Sequence, residues 1–204
     1  MDTVAWPWTA LSGFGLGLSL IVAIGAQNAY VLKQGIQRRH VLAVVAICAL
    51  SDALLISLGI AGMGALVERA PLALVVLRWF GAAFLLSYGL LAARRAIWPT
   101  ALAPSAQGGG SLTRVVLTCL AFTWLNPHVY LDTVLLLGSV ANTHEGGRWA
   151  FGAGAIIGSV VWFTVLGYGA RLLAGVFARP LAWRLLDGAI AVVMVTLGLR
   201  LVLA

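Results

Sequence analysis

The chain has 204 residues, of which 62% are hydrophobic and 9% charged, with a net charge of +7. A water-soluble domain carries about a quarter charged residues, so this composition excludes one and makes lipid the solvent. The basic residues lie singly or in pairs, with no stripe or recognition motif, which argues against a nucleic-acid partner.

A membrane helix needs about 20 apolar residues, and six apolar runs follow one another along the chain. The residues before the first run hold Asp2 but no Lys or Arg, so a cleavable signal peptide is not expected. Trp6 and Trp8 read as interface anchors. The first run, 10–32, carries the small-xxx-small pair Gly13 and Gly17, which suits close helix contact. Toward its cytoplasmic end Gln27-Asn28-Ala29-Tyr30 brings two amides into a region meant for lipid tails. The second run, 41–66, holds Cys48 and, close to its centre, Asp52. A carboxylate at that depth costs about 2.5–3.5 kcal/mol on insertion, so it must face a polar interior, pair with a cation or carry a proton. The third run, 72–93, contains Arg78, whose long stem is expected to snorkel to the outer interface, the alternative being a reach toward Asp52 as its counter-charge.

A connection at about 94–114 follows, with Trp98-Pro99, Pro104 and Gly108-Gly109-Gly110, and reads as a flexible cytoplasmic linker. The fourth run, 115–141, holds Cys119 and the interruption Asn126-Pro127-His128-Val129-Tyr130, with Asp132 a turn beyond His128. Pro127 has no N–H, so a backbone carbonyl one turn earlier loses its helical partner. His128 and Asp132, four apart, can share a helix face and pair. Cys48 and Cys119 lack a CxxC partner and read as packing residues. The fifth run, 149–170, contains the second small-xxx-small pair, Gly154 and Gly158, and the sixth, 185–203, has Asp187 and Arg200 near its ends, both expected at the interface.

Nine of the thirteen Lys and Arg residues fall in the first, third and fifth connections: Lys33, Arg38 and Arg39; Arg94, Arg95 and Arg114; Arg171, Arg179 and Arg184. Positive charge favours the cytoplasm, so these connections face in and both termini face out. The expectation is an all-α integral membrane protein, a single domain over 1–204, with about six transmembrane helices. Three helices (about 10–93) precede the linker and three (about 115–203) follow it. An odd number of spans per half makes the halves an inverted repeat if they are related, and the paired interruptions in the first and fourth helices are the best pointer to a transporter's binding site.

Three segments resemble bacterial lysine/arginine exporters of the LysE type: 17–35, with Gly25-Ala26-Gln27-Asn28-Ala29-Tyr30; 49–56, with Ser51-Asp52-Ala53; and 122–133, with Asn126-Pro127-His128-Val129-Tyr130-Leu131-Asp132. They keep their order over nearly the whole chain. The resemblance implies a secondary exporter of basic L-amino acids in the bacterial inner (plasma) membrane. It also implies functional importance for Asp52 and for the segments at Gln27–Asn28 and Asn126–Pro127. The neutral-amino-acid branches usually have Pro-Gly-Pro where this chain has Gly25-Ala26-Gln27, which favours a basic substrate.

The residue chemistry agrees. Asp52 and Asp132 suit the ammonium groups of a basic amino acid, and Asn28, Asn126 or a broken helix end suits its carboxylate. Gln27, Pro127, His128 and Tyr130 complete the expected substrate- and proton-binding set. Moving one positive charge out against 100 mV costs about 2.3 kcal/mol, and no nucleotide-binding motif is present. Exchange for protons, with Asp52 as coupling group, is therefore expected. The expected partners are the substrate, protons, the bilayer and possible second copies of the chain in a homodimer joined through glycine faces. Neither enzymatic activity, a cofactor nor a resident metal is expected. The alternatives are a divalent-cation exporter or cation channel, whose metal would need clustered ligands, and, more remotely, an aspartyl protease using Asp52 with Asp132 or a thiol oxidoreductase using Cys48 with Cys119.

Overall fold

A computed structural model describes residues 5–22, 25–63, 71–98, 111–144 and 146–203. Its elements in chain order are α1 (Ala5–Ile21), α2 (Ala26–Gln37), α3 (Val41–Leu58) with a π-helical end (Gly59–Met63), and α4 (Pro71–Ile97). Then come α5 (Leu112–Trp124) and α6, which starts as Pro127–Val129, widens to a π-helix over Tyr130–Leu137 and closes as Gly138–Asn142. Last are α7 (Arg148–Gly169), its 3₁₀ extension Ala170–Ala178, and α8 (Pro180–Leu203).

Four helical stretches are long and apolar enough to cross a membrane: Val41–Gly62, Val75–Ile97, Arg148–Leu173 and Pro180–Leu203. The bent pair Trp6–Ile21 and Ala26–Gln37, whose axes differ by 85°, makes a fifth if it counts as one span. The fourth apolar run of the sequence is not one helix but α5 followed by α6, divided at Leu125 and Asn126. Outward-pointing Leu42, Leu50, Leu54, Leu90, Val165 and Leu185 are exposed, as lipid-facing side chains are. The glycine run 108–110, with Pro99 and Pro104, lies outside the described residues; Arg94 and Arg95, assigned above to that connection, are in the last turn of α4.

The two most extensive helix pairings are α4 with α8 and α1 with α7. The second explains the two small-xxx-small pairs. A methyl group built on Gly13 would strike the Phe151 carbonyl, and one on Gly154 the carbonyl of Ala10. Gly17 faces Ala155, and Gly158 faces Phe14. The two pairs thus face each other within one chain, so these glycines are not free to join a second copy. With lipid as solvent, such backbone-to-backbone contact supplies the dispersion that hydrophobic burial cannot.

The basic residues of the odd connections share one end of the bundle. Arg184 donates from Nε to the Ala96 carbonyl at 2.9 Å, Arg38 and Arg171 line one cleft, and Lys33 and Arg95 meet at Asp187. Two sequence expectations are corrected here. Lys33 is not in a loop but inside α2, only 8% exposed, and Asp187 is not interfacial but 7% exposed between two cations. Both follow from α2 closing against α8, a contact between segments 154 residues apart that local pattern cannot reveal. Arg78 has its guanidinium 5.8 Å from the Trp79 ring, and its Nε is buried without a hydrogen-bond partner among the described residues.

Gly154→Leu is expected to destabilise the detergent-solubilised protein by about 1–3 kcal/mol or more through overpacking, seen as a lower thermal midpoint. Gly15→Leu, on the same helix as Gly13 but with nothing within 4 Å of its would-be Cβ, should leave the midpoint unchanged.

Candidate functional site

Both helix breaks open onto one cavity of about 200 Å³. The first break follows Ile21, and α2 restarts behind Gly25, whose backbone is extended (φ −126°, ψ 175°). The side chain of Asn28 reaches back seven residues and donates to the Ile21 carbonyl at 2.7 Å. Its Oδ1 accepts from Trp162 Nε1 of α7 at 3.2 Å. At the second break Asn126 caps α6, its Oδ1 accepting from the His128 N–H at 3.1 Å, while Pro127 fills the first helical position, where a missing N–H costs nothing. The Tyr130 hydroxyl reaches back six residues and donates to the Trp124 carbonyl at 3.0 Å. Each break is therefore closed the same way: a side chain of the second half-helix satisfies the last carbonyl of the first.

The structure brings Gln27, Asn28, Asp52, Asn126, His128 and Asp132 to the wall of this cavity. It does not bring Pro127 or Tyr130 there; Pro127 is buried in the helix start, and Tyr130 is committed to Trp124. Asp52 is 6% exposed, and its Oδ2 accepts from Ser159 Oγ of α7 at 2.7 Å. Beside it, Ser51 accepts from Trp124 Nε1 at 3.2 Å. Asp132 is exposed at the cavity wall. Among the described residues no ion pair joins it to His128, and every ion pair found is at Asp187. Among the described residues the cavity wall thus carries two carboxylates and no Lys or Arg. The Gln27 amide nitrogen is buried with no hydrogen-bond partner among the described residues.

Leu20 and Ile21 of the α1–α7 pair and Phe163 of α7 line one side, while Gly81, Phe84 and Leu85 of α4 and Leu197 and Leu201 of α8 line the other. Toward the basic end the cavity is closed by aromatic rings. Phe122 lies 5.3 Å from Tyr30, 5.0 Å from Tyr88 and 4.9 Å from Phe84, centroid to centroid. Beyond them Asp187 Oδ1 receives Lys33 Nζ at 2.5 Å and Arg95 Nη2 at 3.3 Å.

Cys48 and Cys119, which the sequence marks as packing residues, are fully buried with their sulfurs 3.4 Å apart, one on α3 and one on α5. Among the described residues no three His, Cys, Asp or Glu side chains group closely enough to hold a metal ion. Sequence reasoning missed Ser159, Trp162 and the Lys33–Asp187–Arg95 cluster. Ser159 and Trp162 had no signal, being ordinary residues in an apolar helix. Asp187 had one, a carboxylate two residues inside the last apolar run.

A polar cavity framed by two broken helices inside an apolar bundle is the architecture of a membrane transporter. The family model described as LysE type translocator matches residues 18–204. With that match, the chain belongs to the LysE-type translocator family. A Mycobacterium tuberculosis protein bearing the name "Putative amino-acid transporter" is 53% identical over 87% of this chain and 89% of its own length. The lysine exporter LysE of Corynebacterium diphtheriae is 41% identical over 95% of this chain and 98% of its own. The arginine exporter protein ArgO of Serratia proteamaculans is 44% identical, covering 94% of each. No solved structure matches.

Tyr130→Phe leaves the Trp124 carbonyl without its donor and is expected to cost about 1–3 kcal/mol. Asn28→Ala, which strands both the Ile21 carbonyl and the Trp162 indole, should cost more. Thermal unfolding of the purified variants checks the order.

Proposed function

We propose that this chain exports basic L-amino acids, lysine and arginine, from the cytoplasm across the bacterial inner membrane in exchange for protons. The observation that carries the reading is the cavity: two carboxylates, Asp52 and Asp132, three side-chain amides, Gln27, Asn28 and Asn126, and, among the described residues, no Lys or Arg on its wall. An amino acid such as lysine presents two cations and one anion. The carboxylates suit the cations, and the N-termini of α2 and α6, aimed at the cavity by the two breaks, suit the substrate carboxylate. The names of the lysine- and arginine-exporting relatives support the same substrate class.

Asp52 is the proton-coupling group in this reading. It is buried, lines the cavity and is satisfied by the neutral hydroxyl of Ser159 rather than by a fixed cation. A carboxylate so placed can hold a proton when empty and a substrate cation when occupied, which makes the two exclusive and so couples them. The contact pattern supports the inverted-repeat reading. Inversion would exchange α1–α2 with α5–α6, α3 with α7 and α4 with α8. Under that exchange the α3–α7 and α4–α8 contacts map onto themselves, and α1–α7 maps onto the contact of α3 with α5 and α6. The basic end is the cytoplasmic end on the distribution of charge. Among the described residues the divalent-cation alternative finds no support in the cavity, which offers Asp52, Asp132 and His128 without bringing them together as a metal site.

Efflux of radiolabelled lysine and arginine from proteoliposomes tests the proposal. Wild type is expected to export both, faster when the outer side is made acidic, and Asp52→Asn to lose the response to the pH gradient. Wild-type efflux indifferent to that gradient would overturn proton exchange; transport of neither amino acid would overturn the substrate class.

A further inference from the structure

Three contacts converge on a single oxygen of Asp187: Lys33 Nζ at 2.5 Å, and Arg95 Nε and Nη2 at 3.3 Å each. A latch needs one cation for one carboxylate. Here two cations share one, which adds like-charge repulsion inside the protein and leaves the cluster with an excess positive charge. The two are not equivalent. Lys33 is buried, whereas the Arg95 side chain is 38% exposed and makes the longer contacts. The chemistry of the pair is also specific, because an alkylammonium and a guanidinium are the side-chain groups of lysine and arginine themselves.

The position of Asp187 matters equally. Among the described residues the carboxylates are Asp52, Asp132 and Asp187. The first two line the cavity, and Asp187 alone lies on its cytoplasmic side. Between them stand the touching rings of Tyr30, Tyr88 and Phe122. Arg95 ties the two layers together, its guanidinium lying 5.7 Å from the Tyr88 ring while it bonds Asp187. A substrate moving from the basic end to the cavity meets Asp187 before it meets the rings.

Resting on the basic-export reading above, we infer that Asp187 is the cytoplasmic reception site for the substrate's side-chain cation, occupied in this structure by Lys33 and Arg95 as the chain's own copies of that cation. A substrate ammonium or guanidinium replaces the more exposed Arg95 at Oδ1, one positive charge for another, while buried Lys33 keeps its contact, so neither Asp187 nor Lys33 is left buried and unpaired. Releasing Arg95 also withdraws the cation over Tyr88 and frees the ring layer to part. A neutral amino acid brings no side-chain cation, leaves both contacts standing and keeps the layer shut. Discrimination between basic and neutral substrates then begins here, before the cavity.

Losing Lys33 alone, or Lys33 and Asp187 together, breaks the same ion pair, so a purely structural latch predicts like effects for both variants, whereas a reception site predicts opposite ones. The full chain in proteoliposomes is assayed for initial lysine efflux as the cytoplasmic-side concentration is varied. Lys33→Met, which unmasks Asp187, is expected to lower the cytoplasmic-side KM. Lys33→Met combined with Asp187→Asn removes both charges together, which buried pairs tolerate. That double variant should raise KM about tenfold or more above wild type, the loss of one good charge contact. It should also let norleucine, the uncharged analogue of lysine, compete where it does not in wild type. Equal KM changes in the two variants, or norleucine excluded equally by both, would reduce the cluster to a latch and overturn the inference. If wild type itself moves neither lysine nor arginine, the export reading fails first and takes this inference with it.

Discussion

Hydrocarbon offers no hydrogen bonds, and everything polar in this molecule follows from that. A helix can be broken inside a membrane only if each carbonyl and N–H so released finds a partner within the protein. At the first break Asn28 returns to the Ile21 carbonyl; at the second Tyr130 returns to that of Trp124, and Asn126 caps the helix that follows. These side chains close the backbone cheaply enough to leave the cavity's remaining polar groups, above all the two carboxylates, for something other than the fold. The tryptophans extend the same logic outward. Trp162 fixes Asn28 from α7, and Trp124 fixes Ser51 next to Asp52, so each broken helix is held by a neighbouring unbroken one.

The bundle has a layered polarity along its long axis. Two carboxylates stand in the cavity, a plug of aromatic rings comes next, and a carboxylate with two cations comes after the rings. The acidic cavity and the basic end therefore differ in sign, the first favouring a cation and the second disfavouring one.

Membrane class, the positions of the breaks and most of the cavity's polar residues are legible in the sequence, because the signals are local. An amide pair after a glycine, an asparagine before a proline and an aspartate amid apolar residues are each costly in lipid, and cost marks position. The sequence points to Tyr130 as a ligand group because proximity to a break is visible in it while the direction of a side chain, here toward the Trp124 carbonyl, is not. Lys33 was placed in a loop because a charge beside Gln34 ends the apolar run, although α2 continues to Gln37. The partner that makes its burial possible is on the last helix. Glycine spacing showed that α1 and α7 each wanted a close neighbour but not that the neighbour was the other, since facing backbones leave no complementary pattern to read.

That facing has a mechanical consequence. Where a carbonyl of one helix occupies the place of a missing side chain on the next, the pair can neither slide nor roll without collision, so α1 and α7 form one stiff beam. The extensive α4–α8 pairing forms a second, and the cavity lies between the two. Its volume is then governed by the separation of the beams rather than by bending within either. The polar wall is drawn from the interrupted helices (Gln27, Asn28, Asn126, Asp132) and from α3 (Asp52), so any change in that separation alters the spacing of those groups.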